Sequence, residues 1–140
     1  MTKDSYQILI AEDSAITRAF LVSVLEELSE SFNIIEAASG FEALKQLPRE
    51  KFDLIITDIN MPDINGLELI NFVKTNPEYS HIPLIVVTTE GSARDREKGL
   101  ALGANEYLVK PIDPNQFRSL VIKYLGLNGP AAESPEESKS

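Results

Sequence analysis

LIITDINMPDING, residues 54–66, joins a short apolar run, an aspartate where the run stops, and an Asn65-Gly66 pair that opens a helix. Leu54-Ile55-Ile56-Thr57 is short and apolar throughout, so it reads as a strand covered on both faces of a parallel sheet. Asp58 then falls at the carboxyl end of that strand. Working outward, similar runs stand at Ile8-Leu9-Ile10-Ala11, Ile34-Ile35-Glu36-Ala37, Leu84-Ile85-Val86-Val87 and Tyr107-Leu108-Val109.

Helical periodicity fills the gaps between these runs. Phe20, Val24 and Leu28 form one row with Leu21 and Leu25 beside it, over residues of about 14–29. A second helix is predicted over about 39–47, and a third is marked by Leu67, Ile70, Phe72 and Val73. Phe117, Leu120, Val121 and Tyr124 repeat the pattern in the last helix. The stripe aromatics, Phe20 and Phe117 among them, are expected in the core. The fourth helix, Ser92 to Leu102 (SARDREKGLAL), has a thin apolar stripe, is interrupted by Gly99 and closes at Gly103, so weak docking and mobility are expected. Gly91, Gly99 and Gly103 read as backbone punctuation. Five strand–helix alternations make an α/β fold, a (βα)5 doubly wound five-stranded parallel sheet, because right-handed crossovers place helices on both faces. The domain is assigned to residues 1–125. GLNGPAAESPEESKS, residues 126–140, has little to bury and is read as a disordered tail or the start of a linker.

The chain has 140 residues and a formal net charge of −9, with no cysteine, which removes disulfides and thiolate metal sites. That charge argues against nucleic-acid binding and suits a divalent cation or a basic protein partner. No apolar stretch has the form of a signal peptide or the length of a membrane span, so a cytoplasmic location is expected.

In open α/β sheets the working residues gather at the carboxyl ends of the strands. There the order places Glu12-Asp13 after strand 1, Asp58 after strand 3, Thr88-Thr89 at strand 4 and Lys110-Pro111 after strand 5. Each has a plain structural reading as a cap, turn or strand residue. Those readings would have to hold at four separate strand ends at once. Three clustered carboxylates repel unless a cation or proton joins them, and oxygen ligands without Cys or His favour Mg2+ or Ca2+. An aspartate beside such an ion can form an acyl phosphate, with a lysine and a hydroxyl to meet the phosphoryl oxygens.

Glu12-Asp13, the segment Thr57-Asp58-Ile59-Asn60-Met61-Pro62 followed by Gly66, Thr88 and Lys110-Pro111 together resemble the receiver domains of two-component response regulators, over about residues 6–125. The resemblance implies a flavodoxin-like receiver fold with Asp58 as phosphoacceptor. It implies Mg2+ held by Asp13, Asp58 and the Asn60 main-chain carbonyl, with Glu12 acting through water. Lys110 would pair with the phosphoryl group, Thr88 would move toward it, and Tyr107 would turn inward as the aromatic switch. Implied partners are a sensor histidine kinase or phosphotransfer protein and a downstream target protein. The target would meet a face of helix 4, strand 5 and helix 5 carrying Arg94, Arg96, Lys98, Tyr107, Lys123 and Tyr124. A monomer or a weak phosphorylation-dependent dimer is expected, catalysing only its own phosphorylation and dephosphorylation.

Asn60, Thr88-Thr89-Glu90 and Tyr107 bring the chain nearest to the chemotaxis-type single-domain regulators. Two positions depart from the family pattern: Glu12-Asp13 replaces the commoner double aspartate, and Thr89 stands where alanine is usual. A nucleotide- or flavin-binding role lacks its G-x-G-x-x-G or P-loop. A dehalogenase-type phosphatase would need aspartate at position 60, which is Asn60, and a scaffold without phosphorylation would not need Asp13, Asp58, Thr88 and Lys110. His81, the one histidine, is expected on a surface loop.

Overall fold

The structure, a computed structural model, describes residues 5–89, 91 and 93–127. The expectations for Glu90, for Ser92 as the start of the fourth helix and for the tail beyond residue 127 lie outside these residues. The strands are β1 (Tyr6–Ala11), β2 (Phe32–Ala37), β3 (Leu54–Thr57), β4 (Leu84–Thr88) and β5 (Glu106–Val109). Between and after them come α1 (Ala15–Leu28), α2 (Gly40–Gln46), α3 (Gly66–Thr75), α4 (Ala93–Ala101) and α5 (Pro114–Leu125). All strands are parallel in one sheet of order β2-β1-β3-β4-β5, as expected of a doubly wound fold.

Alternate side chains of each strand enter opposite cores. Ile8, Ile10, Leu54, Ile56, Ile85 and Val87 face α1 and α5, where they meet Leu21, Val24, Leu25, Phe117 and Val121. Leu9, Ile55, Leu84 and Val86 meet Ala43, Leu69, Ile70 and Val73 on the other face. β3 and β4 are buried along their whole length, which is why their sequences lack a polar alternation. The edge strand β2 is only partly covered.

Two aromatic assignments are corrected. Phe20 is 36% exposed and Phe72 42% exposed, so neither is a core residue. In α1 the sheet is met by Leu21, Val24 and Leu25, and in α3 by Leu69, Ile70 and Val73. Each phenylalanine sits one position, about 100° of helix rotation, from the buried row. α4 buries Gly99 and little else, in keeping with its thin stripe.

The helix starts are fixed locally. Ser14 caps α1, Ser39 caps α2, Asp113 caps α5, and Asn65 with Glu68 forms a capping box on α3. A Cβ added at Gly66 would lie 2.1 Å from the Asp58 carbonyl oxygen, so only glycine lets α3 begin this close to β3. The helix that follows Asp58 is thereby pressed against the end of its own strand.

Candidate functional site

The strand ladders run one residue past the strands, and this places the site. Glu12 N–H donates to Ala37 O at 3.0 Å, Asp58 N–H to Ala11 O at 3.0 Å and Lys110 N–H to Thr88 O at 2.8 Å. Main-chain bonds therefore fix three charged residues at the carboxyl ends of β1, β3 and β5. The Lys110–Pro111 peptide is cis.

Glu12, Asp13 and Asp58 each bring a carboxylate oxygen within 4.8 Å of the others. Glu12 and Asp58 are buried, and Asp13 is exposed at the mouth of the cleft. Asp58 Oδ1 accepts from Asn60 N–H at 3.0 Å, and Oδ2 accepts from Lys110 Nζ at 3.1 Å. Asp58 thus caps no helix. Lys110 Nζ also donates to Glu12 Oε1 at 3.0 Å, while Glu12 Oε2 accepts from Ser14 N–H at 2.9 Å. The three acids offer only oxygen ligands, the donor set that Mg2+ and Ca2+ prefer.

Burial holds the Glu12 carboxyl above the ordinary carboxylate range, and the Asp58 charge adds to this against the Ser14 N–H and Lys110. Burial alone would ease the proton from Lys110, but its bonds to Glu12 and Asp58 outweigh that and raise it above an ordinary lysine. Both partners shift upward, which a lone ion pair would not do. The Glu12 side chain is 1% exposed and nearly sealed from water, whereas Lys110 gathers two carboxylates. Such a buried group adds little net stability, yet removal of the lysine would strand two acids and cost about 3–5 kcal/mol.

Thr88 is fully buried at the end of β4, and Thr89 beside it is exposed. The Tyr107 ring already lies inward, 4% exposed, beneath α4. It therefore adds no exposed surface to the face formed by α4, β5 and α5. Arg94, Arg96, Lys98 and Lys123 are exposed on that face, and Tyr124 is half-buried with its hydroxyl donating to Glu106 at 2.6 Å. Gly99 is more than punctuation: a Cβ there would stand 3.3 Å from the Tyr107 ring carbons, so the missing side chain makes room for the ring. The Arg96 guanidinium lies 6.0 Å from the ring centroid and donates to Tyr107 O at 3.3 Å.

Two residues at this edge escaped the sequence reading. Arg18 donates to Glu12 O at 2.7 Å and to Glu36 Oε1 at 3.1 Å, tying the β1–α1 turn to the end of β2. Its place in the first turn of α1 after the acidic pair was the available signal. Asp63 accepts from Gly40 N–H at 3.1 Å and Phe41 N–H at 2.9 Å, across 23 and 22 positions of chain. No local pattern announces that contact. His81 is exposed, as expected, at the opposite edge of the sheet. There it lines an open cavity of about 810 Å³ with Phe52, Tyr79 and Ile82.

A doubly wound sheet in this strand order, with a lysine-bridged acidic cleft at its carboxyl edge, defines an α/β module of the receiver type. The chain belongs to the response regulator receiver domain family, whose model matches residues 8–122. It is 38% identical over 117 residues to a probable transcriptional regulator ycf29 of Pyropia yezoensis, covering 84% of this chain and 52% of that protein. It is 36% identical over 121 residues to a chemotaxis protein CheY homolog of Campylobacter jejuni, covering 86% and 92% respectively. The solved structure of the chemotaxis response regulator CheY4 of Vibrio cholerae is similar, with a TM-score of 0.78 and 31% identity over 86% of this chain and 99% of that one. The chain spans about half the length of the ycf29 relatives (52% and 55%) and nearly all of the CheY-type ones. It is a CheY-like receiver domain of two-component signalling. No helix among the described residues is long and apolar enough to cross a membrane.

Proposed function

We propose that this domain is a phosphorylation-controlled switch in which Asp58 accepts a phosphoryl group and a protein partner reads the result. The observation that carries the reading is the placement of the Asp58 carboxylate. It is buried, steadied by Asn60 N–H and Lys110 Nζ, and grouped with Glu12 and Asp13 in an oxygen-only cluster. Asp13, Asp58 and the Asn60 main-chain carbonyl would hold Mg2+, with Glu12 contributing through water. When bound, Mg2+ neutralises phosphoryl oxygens and offsets the repulsion among the acids.

The donor is a phosphohistidine of a sensor histidine kinase or phosphotransfer protein. An Asp58 carboxylate oxygen attacks phosphorus, the phosphorus–nitrogen bond breaks, and its electron pair leaves with the imidazole. Lys110, already within 3.1 Å of Asp58, turns its ammonium to the added phosphoryl oxygens. The Thr88 hydroxyl donates to another of them. Water later attacks phosphorus and returns the carboxylate and inorganic phosphate. The domain thus catalyses only its own turnover and works as a cytoplasmic signalling module.

Output passes through α4, β5 and α5. α4 rests on Tyr107 through Gly99 with little apolar burial, so a few kcal/mol can shift it between two arrangements. The exposed Arg94, Arg96, Lys98 and Lys123 then present a changed surface to the target. The test is incubation with Mg2+ and acetyl phosphate, followed by intact-mass measurement. One phosphate adduct is expected on the native chain and none on Asp58→Asn. A native chain without an adduct, or an undiminished adduct on the variant, refutes the reading.

A further inference from the structure

The segment between β3 and α3, residues 60–65, is held down at three points. At its start, Asn60 N–H donates to Asp58 Oδ1 at 3.0 Å. At its end, Gly66 N–H donates to Ile59 O at 2.8 Å, where Gly66 meets the Asp58 main chain too closely for any Cβ. In its middle, the two Asp63 carboxylate oxygens accept separately from Gly40 and Phe41, the first two residues of α2. The neighbouring side chain confirms how close the approach is: a Cβ on Gly40 would lie 2.9 Å from Ile64. Asp63 therefore closes a rigid path from the Asp58 carboxylate, through Asn60, to the start of a helix distant in sequence.

We infer that Asp63 is a positioning residue for the cation site, seating the 60–65 segment on α2 and coupling that helix to occupancy beside Asp58. The inference rests on the Mg2+ reading given above. Asp63 would not touch the ion. It sets the height of the segment that carries the Asn60 carbonyl, as outer partners of metal ligands do elsewhere. Without it, the middle of the segment would lose the two hydrogen bonds that tie it to the first turn of α2. Coupling is reciprocal, so binding at the site must alter the α2 contact to the same degree that the contact alters binding.

The test follows amide resonances of the full chain during Mg2+ titration. In the native protein, Mg2+ is expected to shift the Asp13 and Asp58 amides and, with the same midpoint, those of Gly40 and Phe41. Asp63→Ala is expected to weaken Mg2+ binding about tenfold and to abolish the response at residues 40 and 41. Asp63→Asn, which keeps one acceptor oxygen, should fall between. Asp53→Ala is the matched control: it removes a carboxylate bond to Gln7 N–H (2.8 Å) at the opposite edge of the sheet. It should lower Tm while leaving Mg2+ affinity unchanged. Native affinity in Asp63→Ala, or a retained response at Gly40 and Phe41, overturns the positioning role alone. No Mg2+-dependent shift at Asp13 or Asp58 in the native chain overturns the proposed function and this inference with it.

Discussion

Single residues decide this site by the company their charges keep. Burial would push the Asp63 carboxyl up, but main-chain N–H groups of Ile64, Phe41 and Gly40 outweigh that and bring it down to about 2 from an ordinary 3.8. The folded value is depressed, so the stabilisation is present above the unfolded value and disappears as pH falls toward 2. Asp63→Asn has no carboxylate to titrate. In urea denaturation the native chain is therefore expected to exceed Asp63→Asn by a constant margin above about pH 5, with the margin closing as pH approaches 2. A margin unchanged at pH 2.5 would show that the two N–H bonds do not hold the carboxylate. Lys110 obeys the opposite logic, because its two carboxylates raise it and it stays charged throughout that range.

Elements translate these charges into movement, and α4 is the element with least to hold it. Gly99→Ala separates two effects of comparable size. Replacing a helical glycine gains about 1 kcal/mol in propensity, while pressing a methyl to 3.3 Å from the Tyr107 ring costs about 1–3 kcal/mol if the ring must yield. The terms partly cancel, so stability is expected to fall by about 0–2 kcal/mol while the Tyr107 ring resonances move. Unmoved ring signals would remove Gly99 from the account of how α4 seats on β5. The same element shows what was legible beforehand. Its thin stripe could be read in SARDREKGLAL, but the use of Gly99 could not, because the ring it admits lies on another element. The central strands were legible because burial on both faces writes an unbroken apolar run. The charged strand ends were legible because parallel topology gathers them at one edge. Phe20 and Phe72 were misplaced because an apolar residue flanking a helical stripe carries no sign of which side meets the sheet. Asp63 was silent because the helix start it ties down, Gly40 and Phe41, lies 23 and 22 positions away in the chain.

At the scale of the whole molecule, a chain of net charge −9 concentrates three acids at one edge of its sheet and bridges two of them with one lysine. Two kinds of cation effect should therefore separate. Monovalent salt screens the general self-repulsion, and it weakens exposed pairs such as Arg118–Glu27; the two tendencies oppose each other, so its net effect on Tm should be small. A divalent ion bound only by the folded chain stabilises it by RT ln(1 + [L]/Kd), about 2.7 kcal/mol at a hundredfold excess over Kd. For a domain of this size that is on the order of 10 °C in Tm. MgCl2 is thus expected to raise Tm well beyond NaCl at equal ionic strength, in step with the midpoint of the amide shifts. The excess should vanish in Asp13→Asn/Asp58→Asn, in which two of the three carboxylates are neutral. Equal gains from the two salts, or an excess that survives in the double variant, would mean that the acidic edge is a solvated surface and that the fold, not the site, carries the likeness to other receivers.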